Sequence, residues 1–578
     1  LGLAESHISV HGINAGGANG GGGTIFVKTA DATMPNGTLI LDDTRAKSYG
    51  ARWHKPTAVT AIPSGETWTF DAIKIRNYDV LAVPAGTKLM LPRGVASVTA
   101  SSQRLGGILY QGGEIDFGEG PYEFAQPWIF QANKPYTFNG NVTVKAGGAL
   151  GCLQFMGSND LSDFTKCDVV VNGDLTVEKG GYIWAESAGP DLNIDRTTSA
   201  YHGGQTGVLT YAAVYDSILD PSLPGWGMAT GDRATSQPGG GVLKLTVNGA
   251  LTVDGTVTAY ANKNSNNSEG AGGTINIRAK TLAGEGSIMA DSYKFTSQQY
   301  AGGGGRIAVR LSEQAVGTDG IFARITAKGA TVVTSGGYKP NHSSSAGTVY
   351  LQGKDDAEGA GTIRVCNDGN AQSVDPYTPF PSKGNGAEAV DALKNASLFV
   401  GSCAKVKLFE AVEVQALAFD ATGRLDLNGQ TLTVASATVN GETLAAGTYR
   451  ADASRTWLVD SSTEAVGRLV VVGGTAPGLD PEADAPIVSG SSVGVVTSGG
   501  GTSGESVFSV SIGNVKAGLY YTTFIAENLG DTFKASDGSV RATADGGLAF
   551  ELPTGGKASL FVKVVVSSAP YSAGAELK

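Results

Sequence analysis

The chain of 578 residues carries a net charge of −11, and 41% of its residues are hydrophobic while only 16% are charged. Enough apolar surface is present to build a core, which excludes a disordered chain. The acidic balance without a basic cluster argues against nucleic acid as a partner. The 84 glycines, together with abundant Thr, Val and Asn, favour short strands and tight turns over helices.

The sequence opens within a repeated pattern. Residues 7–27 read as a short alternating strand, a glycine-rich loop and a second strand that starts at Gly23. The opening lacks the basic, apolar and small regions of a signal peptide, and no apolar run approaches the roughly 20 residues that cross a bilayer. We therefore expect a processed fragment of a longer repeat protein, without membrane insertion.

Residues 1–150 are predicted to form the N-terminal coils of a β-solenoid. Short strands such as Trp68–Phe70, Val80–Val83 and Lys88–Leu91 recur about every 8–12 residues. Glycine, proline or asparagine separates the strands, which is typical of all-β proteins.

Two stretches of this region are rich in rings. Trp53 and His54 are adjacent in a polar stretch, where a stacking ring beside a base is a candidate ligand site and a solvated loop is the alternative. The segment 121–138 is dense in aromatic residues and includes Trp128. It is either a bulky layer of the core or a platform on which sugars stack. About half of its rings alternate with polar residues, which favours the core.

The segment 151–472 is predicted to be the main solenoid, because it carries a fixed period. Gly241, Gly273 and Gly305 each follow a glycine run and open an alternating strand, and they are 32 residues apart. A period of this size is typical of solenoids and arrays. Alternation directs every second side chain of such a strand inward, and stacked coils bury the faces that one coil leaves open.

Two distant passages repeat one another over a longer range. A strand begins at Gly23, and another follows 14 residues later at Gly37. The same step separates Gly347 from Gly361. We interpret both passages as parts of one longer unit, so that neighbouring repeats or self-association are the expected contacts of the chain.

An insertion at about 189–240 interrupts the repeat. It is too long and irregular for a corner turn, and it contains Tyr201, His202 and Trp226. Long loops on a rigid scaffold often carry function, so these three side chains are candidate ligand-binding residues. A lid that covers one flank of the solenoid is the alternative.

The sequence HGG at 202–204, the sequence PGWG at 224–227 and the strands with the pattern GG-G-I-x-V resemble the glycine-rich right-handed β-helix repeats of large bacterial surface proteins. The resemblance spans about residues 1–44 and 185–370, and it implies a fold and a cell-surface location but no activity. Residues 423–450 are similar to the strand repeats of autotransporter-like passenger domains. The matching residues are Leu425, Leu427, Asn428, Gly429, Leu432, Val434, Gly447, Thr448 and Tyr449.

The C-terminal part is predicted to be separate. Residues 473–490 are rich in Gly, Pro, Asp and Ala, which indicates a linker. Residues 491–578 are predicted to form a small β-sandwich domain, and Gly518–Thr522 resembles the small C-terminal β-domains of similar surface proteins. The expected strands of this part are Val507–Ile512, Leu519–Ile525, Gly547–Leu552 and Leu560–Val566. The predicted fold is thus all-β, a right-handed parallel β-helix followed by a β-sandwich.

The cysteines fall into two sequence-local couples, which favours two disulfides in an oxidising compartment over four buried thiols. They are Cys152, Cys167, Cys366 and Cys403. No spacing typical of zinc ligands occurs. We expect no cofactor, and a calcium ion in the polar loop 262–269 is the alternative.

No catalytic constellation emerges from the sequence. A glycosidase needs two carboxylates that flank the scissile bond, whereas outward positions such as Thr274, Asn276 and Arg278 carry few acids. No nucleophile elbow is present. We therefore expect an extracellular structural or adhesive protein of the bacterial cell surface, such as an adhesin or a filament-forming subunit. A carbohydrate-binding or polysaccharide-degrading β-helix, a lyase or a glycosidase, is the alternative, with a polysaccharide as its partner.

Overall fold

The chain folds into short strands joined by turns and forms two compact units. One unit consists of Leu1–Leu444 and Thr448–Val470, and the other of Ala445–Gly447 and Val471–Lys578. The computed structural model describes residues 8, 10, 14–15, 18–19, 23–42, 58–76, 79–100, 107–132, 135–152, 166–190, 201–205, 214–227, 238–261, 270–292, 302–329, 333–334, 337–338, 344–367, 377–473, 487–493, 507–515, 519–526, 532, 534–536, 539–543, 546–553 and 561–567.

The strands up to residue 184 are β1 (Asn14–Ala15), β2 (Ala18–Asn19), β3 (Gly23–Val27), β4 (Thr38–Asp42), β5 (Ala58–Ala61), β6 (Thr67–Thr69), β7 (Ala72–Arg76), β8 (Asp79–Pro84), β9 (Lys88–Met90), β10 (Val98–Ala100), β11 (Gly107–Gln111), β12 (Glu114–Asp116), β13 (Tyr122–Phe124), β14 (Pro127–Ala132), β15 (Tyr136–Phe138), β16 (Val142–Val144), β17 (Ala149–Gly151), β18 (Lys166–Val171), β19 (Leu175–Val177) and β20 (Tyr182–Trp184).

The later strands are β21 (Val242–Val253), β22 (Thr256–Thr258), β23 (Thr274–Ala283), β24 (Ser287–Met289), β25 (Arg306–Leu311), β26 (Ile325–Thr326), β27 (Val333–Thr334), β28 (Gly337–Tyr338), β29 (Thr348–Gln352), β30 (Thr362–Cys366), β31 (Thr378–Phe380), β32 (Ser397–Gly401), β33 (Lys405–Leu408), β34 (Val412–Phe419), β35 (Arg424–Asp426), β36 (Thr431–Val439), β37 (Glu442–Thr443), β38 (Gly447–Tyr449), β39 (Leu458–Val459), β40 (Arg468–Val471), β41 (Ile487–Val493), β42 (Val507–Val515), β43 (Tyr520–Ala526), β44 (Lys534–Ala535), β45 (Val540–Arg541), β46 (Gly546–Pro553) and β47 (Phe561–Ser567). Short 3₁₀ helices span Val95–Ser97, Gly320–Arg324 and Val390–Leu393.

Strands at corresponding places of successive repeats pair in parallel and build three ladders. Ladder A contains β15, β18, β21, β23, β25 and β29. Ladder B joins β13, β16 and β19 to the second halves of β21 and β23. Ladder C contains β5, β8, β11, β14, β17, β20, β22, β24 and β26. The predicted all-β class is confirmed, and its large parallel sheets are compatible with a β-solenoid.

The alternating pattern determines what lies inside. In β21, Leu243 and Leu245 are buried, and they pair with the buried Ile275 and Ile277 of β23. Because side chains alternate along a strand, these four residues share one face of ladder A. Neighbouring strands lie about 4.8 Å apart, so each inward side chain packs on its counterpart in the next repeat.

Glycine runs lie beside ladder A and form a second stack, which we call the glycine stack. Its members are Gly240, Gly241, Gly272, Gly273, Gly304, Gly305 and Gly347. The N–H of Gly272 donates to the carbonyl of Gly303 in the next repeat at 2.9 Å, and Gly273 donates to Ala259 at 2.7 Å. A Cβ on Gly272 would lie 2.0 Å from the Ala290 carbonyl oxygen. Close backbone contact therefore requires glycine here.

The strands that follow ladder A run in the opposite direction, beginning with β30. β29 pairs in parallel with β25 on one edge and antiparallel with β30 on the other. β3 and β4 form the same antiparallel pair, and the register Phe26↔Leu39 corresponds to Tyr350↔Ile363. Beyond the reversal, β30, β32, β34 and β36 pair in parallel. So do β31, β33, β35 and β39.

The described part of the second unit is antiparallel. β41, β42 and β46 form one sheet, and β43 pairs with β44, β45 and β47 in another. The four strands predicted for this region are confirmed, with ends that differ by up to three residues. Most of the predicted linker 473–490 lies outside the described residues, and β41 begins at Ile487.

Candidate functional site

The insertion lies on the outward side of ladder A. Its described segments, 201–205 and 214–227, hydrogen-bond to the glycine stack. Gly204 donates to the Gly304 carbonyl at 2.9 Å, and Gly225 donates to Gly240 at 2.9 Å. A Cβ on Gly225 would lie 2.3 Å from the Gly272 carbonyl oxygen. The insertion thus adds an outer backbone layer that requires glycine for the same reason as the stack beneath it.

His202 and Asp216 are buried under this layer. The Nε2 atom of His202 lies 3.3 Å from Oδ2 of Asp216, and Nδ1 lies 2.9 Å from the Gly272 carbonyl oxygen. Both side chains are almost completely inaccessible. Since the carbonyl can only accept, Nδ1 donates to it, and His202 therefore connects the insertion to the glycine stack.

Asp216 organises the loop that follows it. Its carboxylate accepts hydrogen bonds from the backbone N–H groups of Ser217, Ser222 and Leu223. In each case the nitrogen lies 2.9 Å from the nearer carboxylate oxygen. The Thr274 hydroxyl of ladder A lies 3.3 Å from Oδ2. One buried carboxylate therefore satisfies three backbone N–H groups of the turn, which an apolar residue would leave unpaired, and it also contacts a histidine ring and a strand hydroxyl.

Arg306 lies on β25 and is fully buried. Its Nε donates to the Tyr215 carbonyl at 2.9 Å, Nη1 donates to Thr348 at 2.8 Å, and Nη2 donates to Ser382 at 2.6 Å. Burial lowers the pKa of the guanidinium, while the negative charges of Asp216 and Glu388 act in the opposite direction. The side chain joins ladder A to the insertion and to the segment around residue 382.

This cluster does not form a nucleophilic triad. The Thr274 hydroxyl donates to the Leu223 carbonyl at 2.6 Å, and among the described residues the other side chain within hydrogen-bond distance of it is Asp216 rather than His202. A hydroxyl nucleophile needs a base within hydrogen-bond reach, and the imidazole faces Asp216 and a carbonyl instead. The buried His–Asp–Arg cluster therefore fixes the insertion onto ladder A.

Beside the insertion, a groove of about 430 Å³ follows the outward side of β21, β23, β25 and β29. We call it the charged groove. Its lining residues are Thr246, Val247, Asn248, Arg278, Ala279, Lys280, Arg310, Leu311, Ser312, Gln352 and Glu358. The walls are polar and charged, and the lining contains no aromatic ring.

Arg310 lies between two carboxylates, one from the insertion and one from the lining of this groove. Its Nη1 lies 3.2 Å from Oδ1 of Asp220, and its Nε lies 3.8 Å from Oε1 of Glu358. The guanidinium also lies over the Tyr350 ring, 5.5 Å from its centroid. Nε is buried without a hydrogen-bond acceptor among the described residues, so the attraction to Glu358 is electrostatic.

Asp220 is kept ionised. Burial alone would raise its pKa, but a hydrogen bond from Asn276 and the positive charges of Arg310 and Arg278 hold the pKa below the ordinary value of an aspartate. A glycosidase requires a protonated carboxylic acid beside a second carboxylate. An ionised Asp220 that shares Arg310 with Glu358 does not itself provide that acid.

The structure describes four of the six predicted ligand-binding residues, and three of these, Tyr201, His202 and Trp226, lie together around Tyr215. Trp128 is buried in an aromatic layer of the core, 5.0 Å from Phe117 between ring centroids, so its ring is not available to a sugar. Trp226 and His202 are buried, and Tyr201 is half-buried against Tyr215. Trp128, His202 and Trp226 thus pack inside, and for Trp128 this agrees with the core position that the sequence favoured over a sugar platform.

The remaining two, Trp53 and His54, lie outside the described residues, as does the loop 262–269 considered for calcium. No group of three or more His, Cys, Asp or Glu side chains in the described ranges is arranged to hold a metal ion. Across the same ranges, no helix has the length and apolarity that a membrane span requires.

The predicted disulfides are not supported, because no disulfide joins Cys152, Cys167, Cys366 and Cys403 in the structure. Burial raises the pKa of Cys152 to about 12 and that of Cys167 well above its usual range. Proximity in sequence does not fix the sulfur geometry that a disulfide needs. The two buried cysteines instead pack as small apolar side chains.

Sequence reasoning did not single out Asp216, Asp220 and Glu358, which supply the acidic partners of this region. The sequence feature that could have indicated them lies on β25. Arg306 and Arg310 are four residues apart in this alternating strand and so lie on its outward face. A charge at an outward position that the insertion covers requires a carboxylate or a set of carbonyls.

Comparisons of the chain with protein-family models, with curated proteins and with solved structures found no match. The functional interpretation therefore rests on the geometry of this chain.

Proposed function

We propose that the chain is a structural or adhesive element of a bacterial cell surface, built as a right-handed parallel β-helix that is followed by a small β-sandwich. Parallel ladders in one unit and antiparallel sheets in the other support this architecture. The glycine-rich repeats resemble those of surface proteins, which supports the extracellular location. The β-sandwich is the part that would serve capping, assembly or sorting.

One observation carries the structural role. The insertion, the region in which a solenoid enzyme would carry catalytic or binding groups, uses its polar residues internally. His202 and Asp216 of the insertion are buried and contact each other. Arg306 of β25 is buried as well and donates to the carbonyl of Tyr215 in the insertion. Side chains committed in this way stiffen the outward side of ladder A, and stiffness is what an extended surface element requires.

The test is a screen of the purified chain for polysaccharide depolymerisation, combined with light scattering and electron microscopy over a range of concentrations. We expect no turnover and an elongated particle that associates end to end. Release of unsaturated or reducing sugars, abolished by substitution of a residue in the charged groove, would overturn the structural role.

The charged groove supports a second candidate, the binding of an oligosaccharide without cleavage. Its 430 Å³ and its polar walls suit a hydrated ligand with many hydroxyl groups. A glycan array should then retain ligands with the natural chain and lose them with Arg278→Gln. Lys244→Gln is the matched control, because Lys244 is exposed to a similar degree and is absent from the groove lining.

A further inference from the structure

Two places in the first unit are built to the same plan. β3 pairs with β4 in the register Ile25↔Ile40 and Phe26↔Leu39. β29 pairs with β30 in the corresponding register, in which Tyr350 takes the place of Phe26. Both pairs follow the same 14-residue step between glycines, from Gly23 to Gly37 and from Gly347 to Gly361.

The backbone just before each pair is equivalent as well. The N–H of Gly347 donates to the carbonyl of Ala327 at 2.7 Å, and the N–H of Gly23 donates to that of Val10 at 2.6 Å. Ile8 stands two residues before Val10, as Ile325 stands two residues before Ala327. Residues 8–10 and β3 thus correspond to β26 and β29.

The two strand pairs differ in what covers their outer edge. β29 is paired on its second edge with β25, and Ile325 of β26 pairs with Ile288 of β24. Ile325 is 1% exposed, and Tyr350 is 0% exposed beneath Arg310 of β25 and beside Gly361. At the equivalent place Phe26 is 54% exposed and Ile8 is 38% exposed. Among the described residues, β3 forms a strand pair only with β4.

We propose that the open edge of β3, together with Ile8, Val10 and Phe26, is a docking surface for one glycine-rich coil that the described residues do not supply. Its pattern is that of Ser287–Leu311: a short strand that covers Ile8 and Val10, a glycine run, and an alternating strand that pairs in parallel with β3. The internal copy identifies this occupant, because β24 and β25 fill the same role there.

The occupant's side chains follow from the same equivalence. Arg310 of β25 lies over the Tyr350 ring, so an arginine at the corresponding place of the docked strand would lie over Phe26. Two aliphatic residues, at the places of Ile307 and Val309, would complete the burial of Ile25 and Val27, which are half-buried at present. This inference does not depend on the proposed surface role.

The test supplies the missing coil to the full chain. A duplicate of residues 284–311 is joined ahead of residue 1 through a flexible Gly/Ser linker, which raises its effective concentration at β3. We expect amide exchange of Gly23–Val27 to slow at least tenfold relative to the chain without the duplicate. Emission of a Phe26→Trp variant should shift to shorter wavelength.

Two controls define the outcome. A duplicate that carries Ile307→Asn and Val309→Asn should give no protection. In the chain itself, Phe26→Lys should abolish the protection by the natural duplicate. Val466→Lys, at another exposed apolar residue, should leave that protection unchanged. Equal protection by both duplicates, or none by the natural one, would overturn the proposal. Concentration-dependent protection of β3 without any duplicate would assign the edge to a second copy and would also overturn it.

Discussion

Two regions of the first unit use the same parallel ladders but fill the space beside them in opposite ways. Around β11–β16 large rings fill the interior: Phe117 lies 5.0 Å from Trp128 and 5.9 Å from Phe138 between centroids. Beside β21–β29 the glycine stack brings backbone against backbone. A Cβ added to Gly304 would lie only 2.1 Å from the carbonyl oxygen of Ala327.

The two regions differ in how they respond to substitution and in the surface that they offer to other segments. Rings pack through many weak contacts, so a substitution there costs stability in proportion to the volume removed. Hydrogen-bonded backbones cannot separate without losing the bonds, so any added side chain is resisted in full. The glycine stack in return presents carbonyls and N–H groups at its surface, and the insertion docks on them. Aromatic coils offer no such surface.

The largest effect is expected from Gly272→Ala in the glycine stack. The new Cβ would meet the Ala290 carbonyl oxygen at 2.0 Å and the Gly305 nitrogen at 2.6 Å, and neither can move without breaking strand pairs. We expect a loss of at least about 4 kcal/mol in the free energy of unfolding. Denaturant unfolding followed by tryptophan fluorescence measures it, since all six tryptophans lie at or before Trp457 in the first unit.

Gly140→Ala is the matched control for that prediction. Its Cβ would lie 3.6 Å from the nearest atom, a ring carbon of Tyr122, which is an ordinary contact. We expect a change within about 1 kcal/mol. If Gly272→Ala unfolds at the same denaturant concentration as Gly140→Ala, close backbone contact does not hold the glycine stack together.

In the aromatic region, truncation of Trp128 should cost about 3–5 kcal/mol, as for other buried aromatic residues replaced by alanine. Trp128→Phe should cost less than about 1.5 kcal/mol. The indole N–H is buried without an acceptor among the described residues, so its removal relieves an unpaired donor. Denaturant midpoints of the two variants test this graded response. Equal losses for phenylalanine and alanine would show that ring volume is not what stabilises the layer.

Asp216→Asn tests whether the insertion is coupled to the glycine stack. The amide keeps one acceptor but turns an NH₂ group toward the N–H groups of Ser222 and Leu223, so we expect a loss of about 2–3 kcal/mol. Limited proteolysis within residues 206–237 should accelerate in parallel. Asp254→Asn is the control: Asp254 is exposed and accepts one backbone hydrogen bond, from Glu285 at 2.9 Å. A loss equal to that of the control would mean that the insertion does not depend on this carboxylate.

Much of the fold could be predicted from sequence, because period and alternation are properties of the strands themselves. The two steps of 32 residues, from Gly241 to Gly273 and from Gly273 to Gly305, located three strands of ladder A, and Leu243 and Leu245 were correctly placed inward. The shared 14-residue step predicted that the two passages correspond, but not that each forms an antiparallel pair.

The site was harder to predict, because its contacts cross long stretches of chain. Asp216 meets Thr274 across 58 residues, and Arg306 meets Tyr215 across 91. An aperiodic insertion gives no register from which such contacts follow. Aromatic and histidine side chains therefore looked available when they are in fact buried, and the acids that pair with the ladder's arginines were passed over.

The smallest effect concerns the rim of the charged groove. Because the pKa of Asp220 is lower in the folded chain than its ordinary value, its ionised form stabilises the fold above roughly pH 4. That contribution disappears as the pH falls through the folded-state pKa. Its side chain is 58% exposed, so we expect Asp220→Asn to cost less than about 1 kcal/mol at neutral pH and nothing at the lowest pH at which the chain stays folded. In 1 M salt the difference should shrink at every pH. A cost that persists unchanged in acid and in salt would mean that Asp220 acts through packing, as the rings of the aromatic region do, and that the charged character of the groove has no part in its stability.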